Sequence, residues 1–176
     1  MLFTINPEKI KFTLMLGKNI KKPLSEAQIR QKIEYFCAYQ ERALSEVSRK
    51  LTKMGVEDEQ IPRWIAELKE NQFLSQERYL SQYVNGHVQY KRWGARKVIF
   101  ALKAKGFEEA EVKPYLDGIP EEERYAQFLK AAEQAEKKQK EQDPFKRKQK
   151  IAAHLFRKGF DIGWINRYLQ SEFENI

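Results

Sequence analysis

Cys37, His87 and His154 are the thiol and imidazole side chains of this chain, the groups most suited to hold a transition metal or attack an electrophile, and their spacing supports neither use. A metal site needs several converging ligands, but the two histidines are far apart and Cys37 is the single cysteine. The sequence contains no G-x-x-x-x-G-K-[ST] phosphate loop, no G-x-G-x-x-G fingerprint and no G-x-S-x-G nucleophile elbow. Glu121, Glu122 and Glu123 resemble an acidic catalytic cluster, yet at the start of a helical stretch they suit the positive end of the helix dipole. No catalytic residue, no cofactor and no metal is therefore expected.

Basic side chains carry the other chemistry in the sequence, contact with phosphates. Lys plus Arg number 33 against 25 Asp plus Glu, a net charge of +8, and the pI is about 9.4. That excess favours a polyanionic partner. Its distribution is more telling than its size. Between Gly86 and Phe107 stand Lys91, Arg92, Arg96, Lys97, Lys103 and Lys105 with no acid among them; between Pro144 and Phe160 stand Lys146, Arg147, Lys148, Lys150, Arg157 and Lys158, again with none. The corresponding stretch upstream has Arg49, Lys50 and Lys53. Long basic side chains with few Asn or Gln beside them suit phosphate contact better than base readout, which makes sequence-specific reading of a major groove the weaker expectation.

Two aromatic residues lie within the middle basic run. On a helix advancing 100° per residue, Ala95, Val98 and Leu102 form the core face, while Arg96, Phe100 and Lys103 fall together elsewhere. Phe100 either meets a partner or base, or packs against an adjoining unit, and the second reading is favoured. Trp93, beside Gly94, either stacks on a ligand or clasps its own core.

Helices must position these groups, and the periodicity supplies them. From Pro23 onward the apolar spacing is helical: Ile29, Ile33, Phe36 and Cys37 follow a candidate N-cap at Ser25. A second helix reads from about Ser45 through Val47, Leu51 and Met54 to a stop at Gly55. A third begins near Asp58, with Pro62 tolerated in its first turn. Farther on, a helix is expected from Ser75 to about Trp93-Gly94. Another starts at Glu121 and is expected to continue through the polar segment AEQAEKKQKEQ to Asp143, with Pro144 opening the next.

The helix ends repeat. LTKMGVEDEQIPRWI (Leu51 to Ile65), LKAKGFEEAEVKPYL (Leu102 to Leu116) and LFRKGFDIGWINRYL (Leu155 to Leu169) align without gaps on Gly55, Gly106 and Gly159. Glycines 51 and 53 residues apart leave room for about three helices per period. A lone unit of that size is marginal, so units are expected to pack in series. The expected fold is all-α: three tandem three-helix, helix-turn-helix-like repeats over 23–71, 72–119 and 120–176, forming an elongated curved chain. Residues 1–22 read differently, with faint strand period and five lysines without an acid between Lys9 and Lys22. They are either a basic arm or a poorly ordered tail, with the tail favoured.

At these motifs the chain resembles RecX, the bacterial regulatory family that controls the RecA recombinase. The resemblance spans about Leu24 to Leu169 and rests on FLSQERYLSQYV (Phe73 to Val84), GARKVIFALKAKGF (Gly94 to Phe107) and FRKGF (Phe156 to Phe160), in that order within the threefold repeat. It implies three three-helix repeats and a nonenzymatic modulator that binds RecA filaments on single-stranded DNA. Such a modulator lodges in the filament groove and restrains ATP hydrolysis and strand exchange, in recombination, DNA repair and the SOS response. Ser75-Gln76 stands where the family often has two acids, and Asn85-Gly86-His87 occupies a place often richer in arginine.

The expected partners are thus the RecA filament and single-stranded DNA, with duplex DNA weaker, and Arg49, Lys50, Trp93 and Phe100 are counted among the contacts with the two basic runs. The alternative is a general DNA-binding helical protein without a recombinase partner. A lone, apolar-flanked cysteine fits a reducing cytoplasm, the lack of a long apolar span argues against membrane insertion, and a monomer is expected.

Overall fold

Helix α1 (Glu26–Tyr39) begins where its first orphan donors are satisfied: the Gln28 N–H donates to the Ser25 hydroxyl, and the Ser25 N–H donates to Gln28 Oε1 at 3.0 Å. The computed structural model describes residues 23–173, with side chains to residue 171; the expectation for residues 1–22 lies outside the described residues. The remaining elements are α2 (Leu44–Lys53), a 3-10 turn (Asp58–Gln60), α3 (Ile61–Glu70), α4 (Gln76–Gln89), α5 (Ala95–Lys103), α6 (Glu109–Asp117), α7 (Glu121–Lys138), α8 (Pro144–Arg157) and α9 (Ile162–Phe173). The fold of the described residues is all-α, built from three successive helix trios.

Two helices end earlier than their sequence suggests. α7 stops at Lys138 instead of running to Asp143, because the Asp143 carboxylate is used as the cap of α8 and accepts from the Lys146 N–H at 2.9 Å. The residues between have almost no apolar face, so no packing holds them helical against that cap. α4 stops at Gln89, short of Trp93-Gly94. Arg92 takes a left-handed φ of 51°, and the Trp93 N–H turns back to donate to the His87 carbonyl at 3.0 Å.

Each trio closes on its own apolar cluster. The first gathers Ile33, Cys37, Val47, Leu51, Trp64 and Leu68; the second Leu80, Val84, Val98, Leu102, Val112 and Leu116; the third Phe128, Ala132, Ile151, Leu155, Ile165 and Leu169. Leu51, Leu102 and Leu155, equivalent in the alignment, are all fully buried. Burying a large apolar side chain contributes roughly 1.5–3 kcal/mol, so the repeated residues are the ones that hold each trio together. Burial of Cys37 also pushes its thiol up to about 11, which keeps it protonated and inert.

The repeated glycine closes the middle helix of each trio in the same way. After α2, α5 and α8, Gly55, Gly106 and Gly159 adopt φ values of 89°, 92° and 83°. The following residue's N–H then reaches back to the buried leucine: Val56 to Leu51, Phe107 to Leu102 and Phe160 to Leu155, at 3.2, 3.2 and 3.4 Å. This pair of features is the Schellman closure, and a Cβ would be strained at each of the three positive-φ positions.

Candidate nucleic-acid interface

The three basic middle helices, α2, α5 and α8, meet end to end. At one junction the start of α5 abuts the turn that ends α8: the Gly94 N–H donates to the Lys158 carbonyl at 2.8 Å, and the Arg96 N–H donates to the Gly159 carbonyl at 3.3 Å. At the other, the start of α2 abuts the turn that ends α5, with the Ser45 hydroxyl donating to the Lys105 carbonyl at 2.7 Å. Ser45 and Arg96 are equivalent in the repeat, as are Lys105 and Lys158. Both junctions use the carbonyl of the equivalent lysine as acceptor, through backbone N–H groups at one and a serine hydroxyl at the other, and both lay the positive N-terminus of one middle helix against the negative C-terminus of another.

The junctions differ in closeness. A Cβ on Gly94 would stand 2.2 Å from the Gly159 carbonyl oxygen, and one on Gly159 would stand 2.4 Å from the Lys97 nitrogen. Backbone meets backbone there. At the α2–α5 junction Ala43 occupies the position of Gly94 and is buried in the second cluster, while a Cβ on Gly106 would meet nothing within 4 Å. That looser contact is supplemented by ion pairs, Lys105 with Glu46 at 2.5 Å and Arg78 with Glu41 at 2.6 Å. Burial acts to raise the Glu46 carboxyl, but the Lys105 hydrogen bond, the Ala43 N–H and the charges of Lys105 and Arg42 together outweigh it and keep that carboxyl below its ordinary range.

Cations from three helices converge at the α5–α8 junction. The Lys158 ammonium donates to the carbonyls of Lys91 and Arg92. Partial burial, then Arg92, Lys97 and Lys138, drives its pKa down. His154 is pushed down as well, by burial first and then by Lys158, Arg157, Lys138 and Lys97. Burial by itself carries no sign for an anion, but the cations that add to both shifts attract negative charge. Beside it, Lys138, Lys150, His154 and Arg157 line a groove of about 410 Å³. Lys138 and His154 were not expected from the sequence, since Lys138 sits among acids in the chain and only the packing of α7 on α8 brings it here.

The expected site residues fall into distinct roles. Arg49, Lys91, Lys146 and Arg157 are exposed and make no ion pair with a described residue. Lys103 is paired to Glu109 at 3.0 Å and Lys150 to Glu141. The Arg96 guanidinium crosses the junction, covering the Phe156 ring and donating to the Phe160 carbonyl. Arg147 and Lys148 are half-buried near the start of α8, at the end of the helix series farthest from Lys50 on α2.

Trp93 is the clasp. It packs on the second cluster with the His87 ring 4.4 Å away and the Lys97 ammonium 4.4 Å from its own ring. Phe100 reverses the expectation that it packs against an adjoining unit: it is 76% exposed. The equivalent Arg49 and Ala153 are exposed too. A position that accepts Arg, Phe and Ala across three repeats is an outward position, and that signal was present in the alignment. Among the described residues no cluster of three or more His, Cys, Asp or Glu could hold a metal, and no helix is long and apolar enough to cross a membrane.

Residues 121–169 match the sequence model of the third three-helix domain of RecX. The chain is 29% identical over 163 residues to the regulatory protein RecX of Bacillus licheniformis, covering 92% of this chain and 60% of that one. It is 35% identical over 123 residues to the regulatory protein RecX of Clostridium perfringens, covering 69% and 57% respectively. The chain thus spans less than two thirds of the length of these curated relatives. Among solved structures it resembles a regulatory protein RecX with a TM-score of 0.69 at 20% identity, over 96% of this chain and 87% of that one. It also resembles RecX from Lactobacillus salivarius, with a TM-score of 0.70 at 19% identity, over 85% and 97%. These two likenesses establish the shared fold.

Proposed function

We propose that this chain is a RecX-type regulator, the reading that its similarity to RecX proteins supports: nonenzymatic, it binds the RecA filament on single-stranded DNA and restrains its ATPase and strand-exchange activity. The observation that carries this reading is the convergence of Arg92, Lys97, Lys138 and Lys158 where α5 meets α8, on a series of basic helices joined end to end. A filament groove offers a long, repeating polyanionic and protein surface, and a repeat protein meets such a surface with the same helix in each unit. Phe100, exposed between Arg96 and Lys103, is part of that face. The protein acts in the cytoplasm, as a monomer, in recombination, repair and the SOS response.

The test is an ATPase and strand-exchange assay with the cognate RecA, run beside binding to bare single- and double-stranded DNA. Inhibition at concentrations that leave bare DNA largely unbound supports the proposal. Equal binding to bare DNA and filament, with RecA activity unchanged, overturns it in favour of a general DNA-binding protein.

A further inference from the structure

The first repeat carries a second kind of surface, away from the junction of α5 and α8. Tyr35 and Tyr39, one turn apart on α1, are 72% and 74% exposed, and their ring centroids are 6.4 Å apart with a 31° tilt. An exposed tyrosine pair gains nothing for the core, which Ile33 and Cys37 fill from the opposite side of the same helix. The pair forms one wall of an open groove of about 540 Å³ whose other walls include Lys32, Phe36, Arg42 and Lys50. The Arg42 guanidinium lies 3.8 Å over the Phe36 ring and its Nε–H donates to the Phe36 carbonyl at 3.1 Å, while the Lys50 ammonium stands 5.4 Å from the same ring. No carboxylate lines the groove. Of the nearby acids, Glu41 is paired with Arg78 and Glu46 with Lys105.

We propose that this groove is a base-stacking seat for single-stranded DNA: one or two bases lie on Tyr35 and Tyr39 while the strand's phosphates meet Lys32, Arg42 and Lys50. Aromatic faces beside fixed cations are what an unpaired strand needs, since every base has a π-face and every phosphate a charge. A duplex cannot use the rings because its bases are already stacked and covered. An acidic protein segment would engage the cations and leave the tyrosines idle. Lys50 belongs both to this groove and to the basic series of α2, so a strand leaving the seat continues onto the middle helices. The inference rests on the proposed function for the nature of the polyanion and adds a place on this chain where bases, not phosphates alone, are held.

The full chain is irradiated with an oligothymidylate carrying 5-iododeoxyuridine, and cross-linked peptides are mapped. The same strand and an abasic strand of equal length are titrated against Tyr35→Ala, Tyr39→Ala and the corresponding phenylalanine variants. Cross-links on Tyr35 or Tyr39 are expected, with a loss of about tenfold for each alanine and less than about twofold for each phenylalanine. Abasic and duplex DNA should be insensitive to all four substitutions. Both residues are exposed, so unchanged helical content is expected and is checked by circular dichroism. Cross-links confined to other residues, or equal losses on the abasic strand, overturn the proposal; so does a self-association that the alanine variants abolish. RecA inhibition is measured on the same samples. Cross-links without inhibition leave the seat standing and remove the filament reading; inhibition without cross-links does the reverse.

Discussion

Among the side chains at the α5–α8 junction, His154 is placed to report an arriving anion. Burial and the charges of Lys158 and Arg157 at the end of its own helix, Lys138 on α7 and Lys97 on α5 hold its pKa below the ordinary 6.5. Folding therefore lowers proton binding, and the free protein loses stability as pH falls through 6.5, fully so below the depressed folded value. A phosphate reverses the field and favours the protonated ring. Polyanion binding should then take up a proton and tighten as pH falls from neutrality toward 6.5 and below, by at most about tenfold per pH unit. His154→Gln should flatten both profiles, measured by denaturant unfolding and by titration with single-stranded DNA. Phe100 is a simpler case. Truncation to Ala removes no core contact, so the melting temperature should hold, while RecA inhibition weakens by about tenfold if the ring enters the interface. Neither residue could be placed from local spacing alone. Phe100 needed the comparison of equivalent positions, Arg49 and Ala153, and His154 needed knowledge that Lys138 and Lys97 arrive from other helices.

At the scale of the element, the repeated glycine has one local role and, at one position, a second. Gly106 and Gly159 share a left-handed φ, and an alanine at either should lose about 1 kcal/mol or somewhat more from that alone. Gly159→Ala also drives a methyl into Lys97, whereas Gly106→Ala meets open space. Gly159→Ala should therefore unfold at clearly lower denaturant concentration than Gly106→Ala. It should also alter the solution scattering profile, because α5 and α8 can no longer approach so closely. Equal destabilisation would mean that the junction yields at little cost. The three closures were legible in the sequence because glycine at C′ and leucine four before it obey local backbone rules. The junction was not, since a glycine needed for its φ and one needed for close approach look alike in a sequence. Gly94 has an ordinary extended φ of −76° and is required for approach alone. The ends of α4 and α7 were missed for a related reason: Arg92 turns left-handed and Asp143 caps the next helix, and each overrides a polar stretch whose propensity permits helix.

For the whole molecule, the question is whether the basic helices act as one surface or as separate patches. The repeat order and the three cores followed from apolar periodicity, which is a local property summed along the chain. The continuity of charge depends on how the repeats dock, and docking has already diverted some of the expected cations: Arg96, Lys105 and Lys158 hold junctions, and Lys103 and Lys150 sit in ion pairs. Reversing Arg96 would thus damage the junction along with any binding face. The outward cations Arg49, Lys91 and Arg157 provide a cleaner test, because they belong to different repeats or loops and none has an ion-pair partner among the described residues. Each phosphate neutralised on a single strand contributes about −0.7 to the log–log salt slope. If the three helices form one surface, each of Arg49→Gln, Lys91→Gln and Arg157→Gln should reduce the slope's magnitude by about 0.7, and the triple variant by about 2, since distant sites act additively. A slope moved only by Arg157→Gln would confine binding to the third repeat, and unchanged slopes in all three would place the DNA on another face of the molecule.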